Sequence, residues 1–481
     1  MTDTAILWLR RDLRLDDNPA LAAALAGAGR VLPLYIHAPD EEAPWEPGGA
    51  SRWWLHGSLA ALDRDLRARG SRLVLAQGDS LDILRTVAAR IGATRVHWNR
   101  LYDPATRARD SRIKLALRAL GLRVESHNAA LLREPWELQT AVGEPYRVFT
   151  PFWRRCKPEL SGCVPVAIPP RFCPAPEIDS LALADLGLLP RIPWDQGLAE
   201  RWVPGESAAL ERAREFVEGR LAGYAERRDL PGIAGTSALS AHLHHGEIGP
   251  RRLLALIGER HGAPDAPAAE PYVRQLAWRE FAHHLLFHFP HTAAQPLDAR
   301  FARFPWRDPE SDEAAKCDLV AWQRGRTGIP LVDAGMRELW QTGWMHNRVR
   351  MAVASLLTKN LLIRWQVGAR WFWDTLVDAD LACNTLGWQW TAGSGADAAP
   401  YFRIFNPVRQ GERFDPDGDY VRRWCPELAR LPAANIHQPW AAPASVLRAA
   451  GLVLGRDYPE PIVDLALSRT QALAAYEAIK R

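Results

Sequence analysis

Three hydroxyls stand together in the run Thr236-Ser237-Ala238-Leu239-Ser240, just after Pro231, Gly232 and Gly235 and just before a helical pattern. Hydroxyls and free N–H groups at a helix N-terminus suit a diphosphate, because the helix dipole favours an anion there. The same residues also suit simple N-capping. A denser set follows in Trp344-Met345-His346-Asn347-Arg348-Val349-Arg350-Met351. As a helix, it would place Trp344, Asn347 and Met351 on one face at spacings of three and four. That face offers an aromatic plane, an amide able to read a base edge and a thioether, with Arg350 beside it. Polar groups against a buried stripe need partners, either a ligand or an internal hydrogen-bond network.

Asp378-Ala379-Asp380, Asn384 and Gly387-Trp388-Gln389-Trp390 come next. Two carboxylates two residues apart could grip a metal, but no neighbouring His or Glu completes a ligand set. Pairing with Arg, or with the ribose and ring N–H groups of a ligand, is the better use of them. His242, His244 and His245 lack acidic residues at ligand spacing, so no metal is expected there either.

Tryptophan is over-represented: 21 Trp against 13 Phe and 9 Tyr. Ten of the 21 lie between Trp278 and Trp390. Indoles stack on planar ligands and also fill cores.

These residues need a scaffold, and the pattern of the 481-residue chain supplies one. Up to residue 130, strand patterns (Ala5–Leu9, Val31–His37, Arg72–Ala76, Arg95–Trp98 and Leu122–Ser126) alternate with helical ones such as Ser51–Arg69. Such alternation predicts a Rossmann-like α/β domain with a doubly wound parallel sheet. It contains no GxGxxG and no GxxxxGK[ST], so it is not a standard dinucleotide or P-loop site. Residues 131–204 are punctuated by proline and read as a long interdomain connector. Residues 205–481 carry apolar spacings of three and four at Glu206–Tyr224, Pro250–Arg260, Pro271–His288, Met345–Leu362 and Ala369–Leu381, which predict a larger all-α domain.

The composition narrows the class. Hydrophobic residues are 47% and charged residues 24%, as in a folded soluble protein. The net charge of +4 neither demands nor excludes nucleic acid. Six cysteines without a CxxC pair make a disulfide scaffold or a zinc or iron–sulfur site an unsuitable reading. The N-terminus does not read as a signal peptide and no apolar run reaches membrane length, so a cytoplasmic protein without membrane contact is expected.

Taken together the motifs are specific. The chain resembles the photolyase/cryptochrome family, most closely the class I cyclobutane pyrimidine dimer photolyases, over essentially its whole length. The resemblance runs through Arg11-Asp12-Leu13-Arg14-Leu15-Asp16-Asp17-Asn18, Thr236–Ser240, Trp278-Arg279-Glu280-Phe281, Gly343–Met351, Asp378–Trp390 and Ala399-Pro400-Tyr401-Phe402-Arg403-Ile404-Phe405-Asn406-Pro407.

The resemblance implies a non-covalent FAD in the all-α domain and light-driven electron transfer to a dimer flipped out of DNA. It implies that Tyr224, Thr236, Ser237, Ala238, Leu239 and Ser240 hold the phosphates. Asp378, Ala379 and Asp380 would meet the ribose and ring, Arg350 would pair with Asp378, and Asn384 would face the flavin N5. Arg279, Trp344 and Asn347 belong to the same cofactor set. Trp278 and Trp390 would wall the lesion, Gln275, Asn347 and Met351 would line its pocket, and Arg228, Arg348 and Arg403 would contact DNA phosphates. Trp388, Trp365 and Trp306 match an electron relay. Damaged DNA is the implied partner of a monomer, and no metal is implied.

Some positions depart from the class I pattern. Gln275 stands where Glu is usual, Tyr272 where Trp is common, Thr385-Leu386 for an Asn-Gly-like pair and Ala241 for Pro. These raise the alternative of a cryptochrome-like blue-light photoreceptor with weak or no dimer repair. Against it, the chain ends at Arg481 soon after the last family-like helix. Gln275 also matches (6-4) photolyases, but those carry a second His where this chain has Asn347. Ala105-Thr106 replaces the Asn-Glu pair of folate-binding relatives, so a second, antenna chromophore in the N-terminal domain has no assigned identity.

Overall fold

The computed structural model describes residues 3–397 and 402–480. Ala399, Pro400 and Tyr401 of the last family motif lie outside the described residues.

Five strands, β1 (Thr4–Leu9), β2 (Arg30–His37), β3 (Val74–Gln77), β4 (Arg95–Asn99) and β5 (Arg123–His127), form one sheet. Its order is β3-β2-β1-β4-β5 and every pairing is parallel. Helices α1 (Pro19–Gly27), α2 (Gly49–Ala68), α3 (Ser80–Ile91) and α4 (Pro104–Ala119) connect them. Alternate strand residues point to opposite faces. Ala5, Leu7, Leu9 and Val31 therefore pack with Leu21 of α1 and Leu55, Leu59, Leu62 and Leu66 of α2. Ile6, Trp8, Leu32, Val96 and Trp98 pack on the other face with Leu84 of α3 and Ile113 and Leu117 of α4. Both faces are covered, as a parallel sheet requires. All five expected strands are present within two residues of their expected bounds.

Local signals set the helix ends. Asn18 caps α1 by accepting the Leu21 N–H at 3.1 Å, with Pro19 at the first helical position. Asp79 caps α3, which stops at Gly92 in the left-handed conformation. The Arg11–Asn18 signature is largely structural. The buried Arg14 guanidinium donates to the carbonyls of Asp17, Ala129 and Gly246. Gly246 (φ +69°) is required there, because a Cβ would lie 2.2 Å from the Arg11 carbonyl oxygen.

The chain forms two compact units whose limits differ from the expected 1–130, 131–204 and 205–481. One takes the chain up to Ala222 together with Ser237–Pro290 and Val377–Ala382; the other takes Gly223–Thr236, His291–Leu376 and the chain from Cys383 onward. Two acids after residue 205, Glu206 at the start of helix Glu206–Gly219 and Glu247 in the turn before helix Pro250–His261, tie their segments to the sheet unit. Glu206 accepts the N–H groups of Leu15 and Asp16 at 2.8 and 2.7 Å, and Glu247 accepts Trp54 Nε1 at 3.1 Å. The expected connector is mostly irregular but includes helix α5 (Phe149–Cys156) and a short helix at Gln196–Arg201.

Three helical expectations are corrected. Glu206–Tyr224 is not continuous: its helix ends at Gly219, and a new short helix starts at Tyr224. Ala369–Leu381 is not one helix. A helix spans Trp365–Thr375, Leu376 turns extended (φ −89°, ψ 133°), and the next helix is Leu381–Ala392. Asp378-Ala379-Asp380 thus occupies the turn between them. Trp344 is not on the helix of Asn347. Gly343 stops the preceding helix in the left-handed conformation and His346 caps the next one, so helix Asn347–Ser355 begins after Trp344 and passes into a π-helical turn at Leu356–Asn360.

Candidate functional site

In the first unit, Ser237, Ala238, Leu239 and Ser240 lead into a helix at Ser240–His244. Ala238 has φ +53°, a left-handed conformation that costs a non-glycine residue roughly 1–2 kcal/mol and that clusters at ligand sites. The Ser237 Oγ accepts the Leu239 N–H at 3.3 Å and the Tyr272 hydroxyl at 3.1 Å. Both bonds use oxygen lone pairs, so the Ser237 hydroxyl proton is left to donate to a phosphate oxygen. Thr236 belongs to the second unit, where Gly235 allows the chain to pass Arg227: a Cβ there would lie 2.3 Å from the Arg227 carbonyl oxygen.

Asp378, Ala379 and Asp380 are buried. Asp380 is flanked by His283 Nε2 at 3.4 Å and His244 Nδ1 at 3.7 Å. Burial alone would raise the Asp380 pKa, but the two imidazoles hold it well below the usual carboxylate range. Burial likewise opposes charge on His283, and the Asp380 carboxylate outweighs it, raising the His283 pKa. The three clustered histidines go to separate partners. His242 bonds Glu247, His244 faces Asp380, and His245 Nε2 contacts the Val377 carbonyl at 3.2 Å.

The long helix Glu270–His288 carries the rest of this unit's set. Trp278 stacks face to face on Phe149 of α5 at 3.8 Å, which occupies one of its two faces. Gln275 Nε2 donates to the Pro271 carbonyl of its own helix at 3.2 Å. Arg279 donates to the Ala130 carbonyl at 2.7 Å, and so braces the connector. Glu280 accepts the N–H groups of Leu132 and Arg133 there, and burial pushes its carboxyl up to about 7.

In the second unit, Asn384 and Trp388 sit one turn apart on helix Leu381–Ala392, hence on one face. Asn384 Nδ2 donates to the Ala369 carbonyl at 3.0 Å, which leaves its side-chain oxygen as an acceptor. The next residue back, Gly368, makes room for Trp388: a Cβ at Gly368 would lie 2.1 Å from the Trp388 ring. Trp388 meets Phe372 edge-on at 5.0 Å, and its Nε1 has no hydrogen-bond partner among the described residues. Trp365 opens the same helix as Gly368, Ala369 and Phe372. Arg307 N donates to the Leu362 carbonyl at 2.8 Å, which ties Trp306 beside the segment that enters Trp365. Trp388 and Trp365 are both buried and Trp306 is half-buried. Trp322 packs on Trp388 and Phe372, and Trp340 stacks on Trp371 at 6.0 Å.

Asp229 holds two of the expected phosphate-binding arginines. It pairs with Arg348 Nη2 at 2.7 Å and lies 3.7 Å from Arg228 Nε. Arg228 lies over the buried Tyr224 ring. Asn347 and Met351 are neighbours one turn apart, with Nδ2 4.0 Å from Sδ. Arg350 lies over Trp344 and donates to the Met345 carbonyl at 2.7 Å. Trp390 donates its Nε1 to the Asp397 carbonyl at 3.1 Å, and the exposed Arg403 lies over Phe405.

The sheet reverses its strand order between β1 and β4, the place where open α/β sheets bind ligands. Arg11 there pairs with Asp103 and Glu42, both at 2.6 Å. Thr106 is buried with its hydroxyl on the Asp103 carbonyl, so Ala105-Thr106 presents no polar pair to a folate.

Sequence reasoning missed His283, Asp229, Phe149 and Gly368. Only Asp229, next to Arg228, carried a signal in the chain itself.

Residues 272–478 match the family model described as the FAD binding domain of DNA photolyase, and residues 5–175 match that described as DNA photolyase. The chain is 50% identical to the deoxyribodipyrimidine photo-lyase of Agrobacterium fabrum, with 100% of this chain and 99% of that protein covered. It is 42% identical to cryptochrome-2 of Arabidopsis thaliana, covering 98% of this chain and 78% of that protein. The crystal structure of a bacterial class III photolyase from Agrobacterium tumefaciens superposes with a TM-score of 0.94 at 49% identity, covering 100% of this chain and 98% of that one.

Proposed function

The chain belongs to the photolyase/cryptochrome family, and from that premise we propose that it repairs cyclobutane pyrimidine dimers in DNA by light-driven electron transfer, as a deoxyribodipyrimidine photo-lyase. The observation that carries this reading is the meeting of two helices in the second unit. One carbonyl, Ala369, fixes Asn384, and the adjacent Gly368 seats Trp388. The residue expected to face the flavin N5 and the first tryptophan of the relay are thereby held one turn apart.

The residues fit FAD. Ser237 keeps a proton to donate to a diphosphate, the strained Ala238 shapes that run, and Asn384 offers an acceptor suited to a protonated ring nitrogen. Bound and reduced, FAD supplies on excitation the electron that opens the cyclobutane ring and takes it back afterwards. The protein's part is to bind, orient and reload. Tyr224, Thr236, Ser237, Ala238, Leu239 and Ser240 hold the cofactor's phosphates. Asp378, Ala379, Asp380, Arg279, Trp344, Asn347 and Arg350 complete its surroundings. His283 and His244 keep Asp380 ionised, so it can accept hydrogen bonds from a ribose or ring N–H.

Trp278 and Trp390 are the residues assigned to stack on the flipped dimer, an interaction worth roughly 1–3 kcal/mol per base. Asn347, Met351 and Gln275 line the lesion pocket. Arg228, Arg348 and Arg403 take the phosphates, which makes binding salt-dependent. Trp306, Trp365 and Trp388 would carry inward an electron that an external reductant supplies at Trp306, and so reload an oxidised cofactor. Among the described residues Trp388 Nε1 has no acceptor, so a Trp388 ring that had given up an electron would keep its proton.

The photochemistry uses no metal, and the protein acts as a monomer in the cytoplasm. No described helix is long and apolar enough to cross a membrane. A second chromophore, of unassigned identity, would belong to the sheet domain. One observation favours a second reading as a blue-light photoreceptor: Gln275 spends its amide on its own helix and supplies no carboxylate. Illumination of the reduced protein with a dimer-containing oligonucleotide separates the two, since only a repair enzyme restores thymine.

A further inference from the structure

Strands β4 and β5 pair in parallel with His97 opposite Glu125 and Asn99 opposite His127. Side chains two residues apart on a strand share a face, and directly paired residues share it too. His97, Glu125 and His127 therefore converge at the edge of the sheet, although 28 residues separate His97 from Glu125 in the chain. His97 Nδ1 lies 3.4 Å from His127 Nε2 and 4.0 Å from Glu125 Oε2. The three ligand atoms all fall within 4.8 Å of one another.

We propose that His97, Glu125 and His127 bind one divalent transition ion of the zinc type. With metal–nitrogen bonds of about 2.0–2.1 Å, two nitrogens on a tetrahedral ion stand about 3.3 Å apart, close to the separation seen here. The same 3.4 Å is long for a direct hydrogen bond between the two rings. Two imidazoles and a carboxylate form a three-ligand set that leaves the fourth position to water. Imidazole ligands suit zinc, copper and nickel, and not calcium or magnesium.

The surroundings support the set. Arg123 Nε donates to Glu125 Oε1 at 2.6 Å, so it orients the carboxylate with Oε2 toward the imidazoles. The other nearby cations are engaged: Arg95 with Asp3, Arg100 with Glu134, and Lys114 with Ser126. His97 is 1% exposed and forms the floor, while Glu125 is 33% exposed and opens the site to solvent. The ion would pin the edge strand β5 to β4. None of these residues has a part in the photochemistry, so the inference stands apart from the proposed function.

The test is calorimetric titration of ZnCl2 into the chelator-treated, FAD-loaded full chain and into its His127→Ala and Glu125→Gln variants. Both variants lie at the solvent edge, and unchanged circular dichroism and flavin absorbance confirm that they fold. One zinc per wild-type chain, weakened by at least about tenfold in each variant, is the expected result. No tight site in the wild type, or a tight site kept in either variant, overturns the proposal. Zinc X-ray absorption on the wild type gives an answer that needs no variant. Nitrogen and oxygen ligands with imidazole scattering are expected, and a sulfur ligand overturns the assignment.

Discussion

The His283 imidazole lies 3.4 Å from the Asp380 carboxylate, in a place where both are buried. His283 carries a raised pKa and Asp380 a depressed one. Each shift has a definite sign in stability. The His283 contribution is fully present below its unfolded pKa of about 6.5 and is lost as pH rises through its higher folded value. The Asp380 contribution is present above about 3.9 and is lost as pH falls through its lower folded value. His283→Asn is therefore expected to lower the melting temperature most near about pH 6, and progressively less as pH rises above the folded His283 pKa. The cost should not exceed ~3 kcal/mol, since His244 stays at 3.7 Å. Melting curves of both proteins across pH check this; a difference that is flat or grows with pH contradicts it.

Trp388 is wedged between Gly368 and Phe372, and in the proposed relay it is the tryptophan that reduces the flavin. Trp388→Phe should abolish photoreduction of the bound flavin while leaving repair intact when the flavin is reduced chemically. Flavin absorbance under illumination reads the first effect and dimer repair the second. Photoreduction that survives would show that electrons enter by another route.

Arg348 is paired with Asp229 and aligned by it. If it contacts a DNA phosphate, Arg348→Ala should reduce the slope of log K against log salt by ~0.9 for duplex DNA, with undamaged and damaged sites weakened alike. Binding isotherms at several salt concentrations measure the slope. An unchanged slope removes Arg348 from the interface.

Gln275 donates to the Pro271 carbonyl and is neutral. A carboxylate in its place could bond the thymines and respond to charge as the dimer is reduced. Gln275→Glu is expected to raise repair and to tighten dimer binding by about 0.5–1.5 kcal/mol, the worth of one hydrogen bond. Equal repair in both proteins would show that Gln275 does not limit the reaction.

How much of this was legible in the sequence follows from the range of each interaction. The five strands were, because alternation and short apolar runs are local. Thr236–Ser240, Asn384 and the tryptophans of the proposed relay stand out in the sequence as motifs, because each is a local run or a single residue within one. The helix Ala369–Leu381 was read through its break, because the turn at Leu376 has no glycine or proline to announce it. Trp344 was placed on a helix that the His346 cap starts only afterwards. The unit limits were missed because Glu206 and Glu247 find their partners far back in the chain. His283 beside Asp380, and His97 beside Glu125 and His127, depend on pairing across about 28 to 97 residues, which spacing along one segment cannot reveal.

The central claim is dimer repair, and its most direct measurement is restoration of thymine absorbance in a dimer-containing oligonucleotide during illumination of the chemically reduced protein. The account predicts that absorbance returns in the light and not in the dark, over many turnovers per protein. No return in the light, from a protein whose flavin photoreduces normally, would contradict it and leave the photoreceptor reading in its place.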